Sequence, residues 1–227
     1  MKIIKLIGDN KYEIEQTLKG HNDSVYKIIE IKENELISIS RDKTMKIWIL
    51  NKDNKFENIT NIYFQNSMSN CNILKLNEKE FVTLSHDDEY IKFWNIKNYS
   101  NIITINNINS SRSYKNMCLL EDDLLCIGGD YSNGYYLIKI STHQLIKNIL
   151  KPNSIISINE CLDGLFLCSI YENRYYNLVK YKYENGNLEK IIEKVNAHNN
   201  HKIYSCIEMD DGTIISGGTD NLIIWSY

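Results

Sequence analysis

Apolar and polar residues alternate along most of this chain in short runs, each closed by a turn of Asp, Glu, Asn or Gly. That period-two pattern is the mark of strands. Four stretches align without gaps: Tyr26–Ser38 (YKIIEIKENELIS), Tyr114–Cys126 (YKNMCLLEDDLLC), Ile156–Cys168 (ISINECLDGLFLC) and Tyr204–Ser216 (YSCIEMDDGTIIS). Cys71–Thr83 (CNILKLNEKEFVT) fits the same frame. The small residue that ends each stretch recurs at steps of 45, 43, 42 and 48 along Ser38, Thr83, Cys126, Cys168 and Ser216. A third strand follows each pair (TMKIWIL, YIKFWNI, YYLIKI, YNLVKYKY, LIIWSY), then a more polar fourth where the unit continues, such as ENITNIYF and NIITINN. No segment shows a helical period.

A repeat in the forties built from four short strands predicts an all-β chain of antiparallel propeller blades. The frame makes residues 1–227 a single propeller domain, with blades at about 19–65, 66–107, 108–150, 151–195 and 196–227 plus 11–18. The last unit stops at its third strand. DNKYE (Asp9–Glu13) repeats DNKFE (Asp53–Glu57), which leads into the fourth strand of the first unit. Residues 12–18 are therefore expected beside 221–227, closing a fifth blade and sparing the sheet an exposed edge. KIIKLI (Lys2–Ile7) is then left over, in the register of a third strand. An open ring completed by a partner and a partial copy of a longer propeller remain as alternatives.

The residues between the strands resemble the WD-repeat family. The first unit carries Gly20-His21, Ser38, Asp42 and Trp48; the last carries Ala197-His198, Ser216, Asp220 and Trp225. His and Trp are 27 apart in both units, and Ser and Asp are 4 apart in both. The resemblance spans almost the whole chain and is weaker in between. The second unit keeps Trp94 with Asp87 or Asp88; the third has Cys126 and Asp130 and no Trp; the fourth keeps almost none of the polar set. The Asp of the WD dipeptide is absent, leaving Trp48-Ile49, Trp94-Asn95 and Trp225-Ser226. The resemblance implies that His21, Ser38, Asp42 and Trp48, and likewise His198, Ser216, Asp220 and Trp225, form buried hydrogen-bonded chains with a structural role. It also implies a scaffold for protein or peptide partners.

Composition changes the picture mainly by exclusion. A net charge of −3 with only three arginines, Arg41, Arg112 and Arg174, gives no basic surface for nucleic acid. The wealth of Ile, Asn, Lys and Tyr reads as an AT-rich coding bias. The apolar patch in MKIIKLIGDNKY is interrupted by Lys5 and too short for a signal peptide or a membrane span. The six cysteines make no CxxC or other metal spacing, so reduced core thiols in a cytoplasmic protein are expected. Asn22, Asn58 and Asn98 open formal glycosylation sites that such a chain would not use.

Binding is expected on the face made by the loops before each first strand and the turns between second and third strands. Tyr26, Tyr114 and Tyr204 start first strands there, and Arg41, Arg112 and Arg174 stand in its loops. Tyr and Arg are favoured interface anchors; packing between blades is the plainer role for any one Tyr. His198 and His201 lack the third ligand that zinc needs, so no metal and no cofactor are expected. Asp87, Asp88, Asp130 and Glu172 could supply a glycosidase pair only if one carboxyl sat in an apolar pocket; turn formation accounts for them more simply. No phosphate loop, GxSxG or Cys–His pair occurs at a recognised spacing. The reading is a non-catalytic interaction scaffold. A structural subunit whose incomplete ring a partner completes is the alternative, and a sugar-binding or sugar-cleaving propeller is a weaker third.

Overall fold

A computed structural model of the chain describes residues 1–8, 11–65, 71–85, 90–106, 114–121, 123–129, 135–149, 154–160, 165–184 and 187–225. These form twenty-one strands and no helix. Two strands, β1 (Lys2–Gly8) and β2 (Lys11–Thr17), make a hairpin of their own. Blade 1 is β3 (Val25–Lys32), β4 (Glu35–Ser40), β5 (Thr44–Leu50) and β6 (Phe56–Tyr63). Blade 2 is β7 (Asn72–Lys75), β8 (Glu80–Leu84), β9 (Tyr90–Asn95) and β10 (Asn101–Asn106). Blade 3 is β11 (Tyr114–Glu121), β12 (Leu124–Gly129), β13 (Tyr135–Lys139) and β14 (Gln144–Ile149). Blade 4 is β15 (Ser154–Glu160), β16 (Leu165–Glu172), β17 (Tyr175–Glu184) and β18 (Asn187–Lys194). Blade 5 has three strands among the described residues, β19 (Ile203–Glu208), β20 (Ile214–Gly218) and β21 (Leu222–Trp225). Each sheet is a meander in chain order, as the repeat predicts: an all-β chain of five antiparallel blades. Among the described residues there is also no helix long and apolar enough to cross a membrane.

The chain divides into two compact units, residues 1–104 and 105–227. In the first, the alternating side chains of blade 1 pack onto blade 2. Ile37, Ile39, Met45 and Ile47 are wholly buried against Ile73, Phe81 and Trp94, each such side chain contributing about 1.5–3 kcal/mol. Phe81 stacks on Trp94 with centroids 6.0 Å apart, and Phe64 meets it edge-on at 5.9 Å. In the second unit one core joins blades 3 and 4 through Leu137, Cys168 and Val179, and another joins blades 4 and 5 through Leu178, Ile203 and Cys206. First strands of neighbouring blades are tied by side chains. Lys27 Nζ donates to Asn72 Oδ1 at 2.7 Å, Asn116 to the Ile156 carbonyl, and Asn159 Nδ2 to the Cys206 carbonyl at 2.5 Å.

Asparagine does much of the turn-making that glycine does elsewhere. Of the ten non-glycine residues at positive φ among the described residues, six are Asn: 34, 54, 173, 196, 199 and 200. Asn tolerates that region because its short side chain bonds the local backbone. Asn51 Oδ1, for instance, accepts the Asp53 and Lys55 amides, both at 2.9 Å.

The strand expected over residues 12–18 also pairs with its neighbour in sequence, the segment 2–7 that the repeat left over. Among the described residues, β2 (which covers 11–17) pairs with β1, with Ile4 opposite Ile14 and Leu6 opposite Tyr12. The strand next in sequence closes the smallest loop and so wins the edge at the least entropic cost. Gln16 then anchors this hairpin to the start of β6, its amide donating to the Phe56 carbonyl at 2.7 Å and accepting the Phe56 N–H at 2.8 Å.

Candidate functional site

Blade 1 assembles its four polar residues from three elements. The loop before β3 brings His21, β4 carries Ser38 facing it, and the β4–β5 turn supplies Asp42 ahead of Trp48 on β5. His21 Nδ1 lies 2.9 Å from Asp42 Oδ2, His21 Nε2 lies 2.7 Å from Ser38 Oγ, and the Trp48 indole N–H donates to Ser38 Oγ at 2.8 Å. A carboxylate only accepts, so the imidazole proton sits on Nδ1. Every donor then has an acceptor: indole to hydroxyl, hydroxyl to Nε2, Nδ1–H to Asp42. Asp42 also accepts from the Asn22 amide at 2.8 Å and from the Thr44 hydroxyl at 2.6 Å. Burial alone would raise its carboxyl, but the bonds from Thr44, Asn22 and His21 outweigh it and hold the pKa at about 2. Burial lowers His21 below its ordinary value, against the pull of Asp42.

The last blade repeats the set. His198 Nδ1 is 2.7 Å from Asp220 Oδ1, His198 Nε2 is 2.7 Å from Ser216 Oγ, and Trp225 donates to Ser216 Oγ at 2.9 Å. The connectivity is that of a hydrolase's Ser–His–Asp, yet Ser38 and Ser216 are both 0% exposed and each hydroxyl already receives an indole N–H. No substrate carbonyl can approach such an oxygen. These sets hold the loop before the first strand against the blade.

Blade 2 keeps a shorter version, Trp94 donating to Thr83 Oγ1 at 2.8 Å. Asp87, Asp88 and Asp130 lie outside the described residues. Blade 4 substitutes contacts that the sequence did not reveal. Ser157 and Ser169 Oγ lie 2.7 Å apart, Ser169 donates to the Ile203 carbonyl, and Lys180 pairs with Glu208 at 2.5 Å between blades 4 and 5. In unit one, Tyr99 donates to Glu35 Oε1 at 2.6 Å, joining blade 2 to blade 1, and burial with that bond pushes its phenol well up.

Of the expected contact residues, the structure places Tyr26 and Arg41 at one end of blade 1, both exposed. The Arg41 amide bonds the Ser24 carbonyl at 2.9 Å, and its guanidinium stands 4.0 Å from Asp23 Oδ2. In the second unit, Arg174 tips the β16–β17 turn at φ 73° and Tyr204 is the second residue of β19. Exposed Tyr171 and Tyr175 flank Arg174, and neither was singled out from the sequence, though their place beside that turn marks them. The Ala197 amide bonds the Tyr176 carbonyl at 3.0 Å and the Asn196 amide bonds Asn177 Oδ1 at 3.0 Å, which sets this turn beside the start of blade 5. There Lys202 Nζ sits 5.3 Å above the Tyr204 ring. Unit two thus exposes Tyr171, Arg174 and Tyr175 around the β16–β17 turn, and Tyr204 beside Lys202 near the start of β19. Arg112 and the side chain of Tyr114 lie outside the described residues, so Tyr114 is placed only as the first residue of β11. His201 Nδ1 is 3.3 Å from Thr219 Oγ1, and no cluster of three or more metal-ligating side chains exists among the described residues.

No family model matches this sequence, and no curated protein is similar to it in sequence. Solved structures are similar in fold. A chain in the crystal structure of the mitotic checkpoint complex superposes with a TM-score of 0.77 at 16% identity, over 95% of this chain and 65% of that one. The WD40 β-propeller domain of Doa1 superposes with a TM-score of 0.67 at 23% identity, over 94% of this chain and 67% of that one. The fold is that of a β-propeller, and the chain spans about two thirds of the length of these neighbours.

Proposed function

We propose that this chain is a non-catalytic binding platform for proteins or peptides, working through the loop ends of its blades. The observation that carries the reading is the exposure of Tyr171, Arg174 and Tyr175 around the β16–β17 turn and of Tyr204 near the start of β19. Tyr offers large contact area at small entropic cost and Arg offers a planar donor fork, the chemistry of interface anchors. Tyr26 and Arg41 give the first unit a smaller copy of it. The buried His–Ser–Asp–Trp sets support the same reading, since they spend their polar groups on rigidity. Buried cysteines with no disulfide among the described residues fit a reducing, cytoplasmic setting.

The test is affinity purification with crosslinking from the native source, comparing wild type with a variant in which Tyr26, Arg41, Arg174 and Tyr204 are alanine. Loss of the captured partners with an unchanged circular dichroism spectrum is expected. An unchanged partner set would sink the site assignment.

A further inference from the structure

The small residue on the second strand of each blade has a defined neighbour across the hairpin. Ser38 stands opposite Ile28, Thr83 opposite Ile73, Cys168 opposite Ile158 and Ser216 opposite Cys206. In the frame that aligns Tyr26 with Tyr114, Asn116 is the counterpart of Ile28 and Cys126 that of Ser38. Blade 3 departs from this register. Asn116 pairs with Gly128, a slip of two residues, and Cys118 comes opposite Cys126. Side chains alternate with period two, so a slip of two keeps each on its face. A thiol therefore meets a thiol in blade 3, where each of the other pairs holds at most one.

Directly opposed residues of an antiparallel pair have Cα atoms about 4.5–5.5 Å apart, inside the span of about 4.4–6.8 Å that a disulfide needs. Cys118 and Cys126 belong to one apolar core with Leu120, Leu124 and Leu137, and are 4% and 0% exposed. Among the described residues β11 is laddered to β12 only, whereas β12 lies between β11 and β13. Cys118 thus sits on the strand that opens at the smaller cost, and Cys126 on the strand that stays.

We propose that Cys118 and Cys126 are a redox pair, thiols at rest and closed to a disulfide by a low-molecular-weight disulfide such as oxidised glutathione. Local opening of β11 uncovers the Cys118 thiol, which gives its proton to water. The thiolate attacks one sulfur of glutathione disulfide, forming a mixed disulfide and releasing one glutathione thiolate. Cys126, deprotonated in turn, attacks the Cys118 sulfur, forms the Cys118–Cys126 bond and releases the second glutathione. The protein loses two electrons and two protons. Glutathione disulfide takes up the electrons, and the two thiolates released from it take up the protons. Burial keeps the pair silent while β11 lies on its blade, and the bond fastens β11 to β12 once formed. Disulfides of this transient kind are those that reducing compartments permit. The proposal is independent of the loop-face reading.

The test equilibrates the full chain with glutathione buffers of rising oxidised proportion, quenches by alkylation and maps the linked peptides by mass spectrometry. A Cys118–Cys126 linkage is expected, formed at a lower oxidised proportion in the folded chain than in urea. The oxidised chain should keep its circular dichroism spectrum and show slower hydrogen exchange in β11 and β12. Cys126→Ser places in blade 3 the residue that blades 1 and 5 carry there, and should hold one glutathione on Cys118 instead. Absence of the linkage, or linkage of either cysteine to Cys168, would overturn the pair. So would loss of the fold on oxidation, an equal or higher oxidised proportion needed in the folded chain, or an unmodified Cys118 in the variant.

Discussion

The hydroxyl of Ser38 lies 2.7 Å from Nε2 of His21 and is wholly buried beneath the Trp48 indole that donates to it. A geometry that in an open cleft would serve acyl transfer here serves a loop. The same closed set recurs around Ser216, so its meaning is architectural: it fixes the segment before a first strand, where contact residues stand.

Ser38→Ala therefore removes a partner from two buried groups at once, the Trp48 N–H and His21 Nε2. The expected loss is about 1–3 kcal/mol, and at this chain length each kcal/mol lowers Tm by about 2–4 °C. Calorimetry of the purified variant measures it. A Tm equal to wild type would mean that the set carries no stability.

Acid should unfold the chain in two windows. His21 is lowered in the folded state by burial, so the unfolded chain takes up that proton first. Its contribution is whole above the ordinary value of 6.5 and is lost as pH falls through it. Asp42 runs from 3.8 unfolded to about 2 folded, so its contribution is whole above about pH 4 and is lost on the way down to about 2. Urea midpoints across pH 8 to 3 should fall in both windows. His21→Asn should flatten the upper one and Asp42→Asn the lower; a variant that keeps its slope refutes the assignment.

Two adjacent glycines in β20 should respond oppositely. A methyl group on Gly218 would lie 2.6 Å from both Asp220 Oδ1 and His198 Nδ1 and 2.9 Å from the Lys202 carbonyl, whereas one on Gly217 meets nothing within 4 Å. Gly218→Ala should break the His198–Asp220 pair and destabilise the last blade. Gly217→Ala should stay within about 0.5 kcal/mol of wild type, as open surface changes do. Hydrogen exchange of β19 to β21 reads the difference.

Tyr99→Phe tests the joint between blades 1 and 2. Glu35 is buried and, among the described residues, keeps the Lys32 ammonium at 3.1 Å once the phenol is gone. A loss of about 1 kcal/mol is expected in thermal melts, and no loss would show that the bond is incidental.

Strand order and blade number were legible because the apolar alternation repeats in frame and Asn, Asp and Gly punctuate it. The two polar sets were legible because His, Ser, Asp and Trp keep their spacing in the first and last units. The Ser157–Ser169 contact was not, since two serines twelve residues apart become opposed only once β15 and β16 pair in register. Lys180 and Glu208 are 28 residues apart and meet across blades, a relation no local pattern encodes. The pairing of β2 with β1 turned on proximity in the chain, which the matching DNKYE and DNKFE segments outweighed in the sequence reading.

The binding platform is tested most directly by where a partner touches. A photo-crosslinking amino acid is placed at Tyr26 or Tyr204 on the loop ends, or at Asn34 or Asp211 in the turns at the other ends of blades 1 and 5, and partners are trapped from the native source. Crosslinks from Tyr26 and Tyr204 with none from Asn34 and Asp211 are predicted. Crosslinks from Asn34 and Asp211 alone would contradict the account.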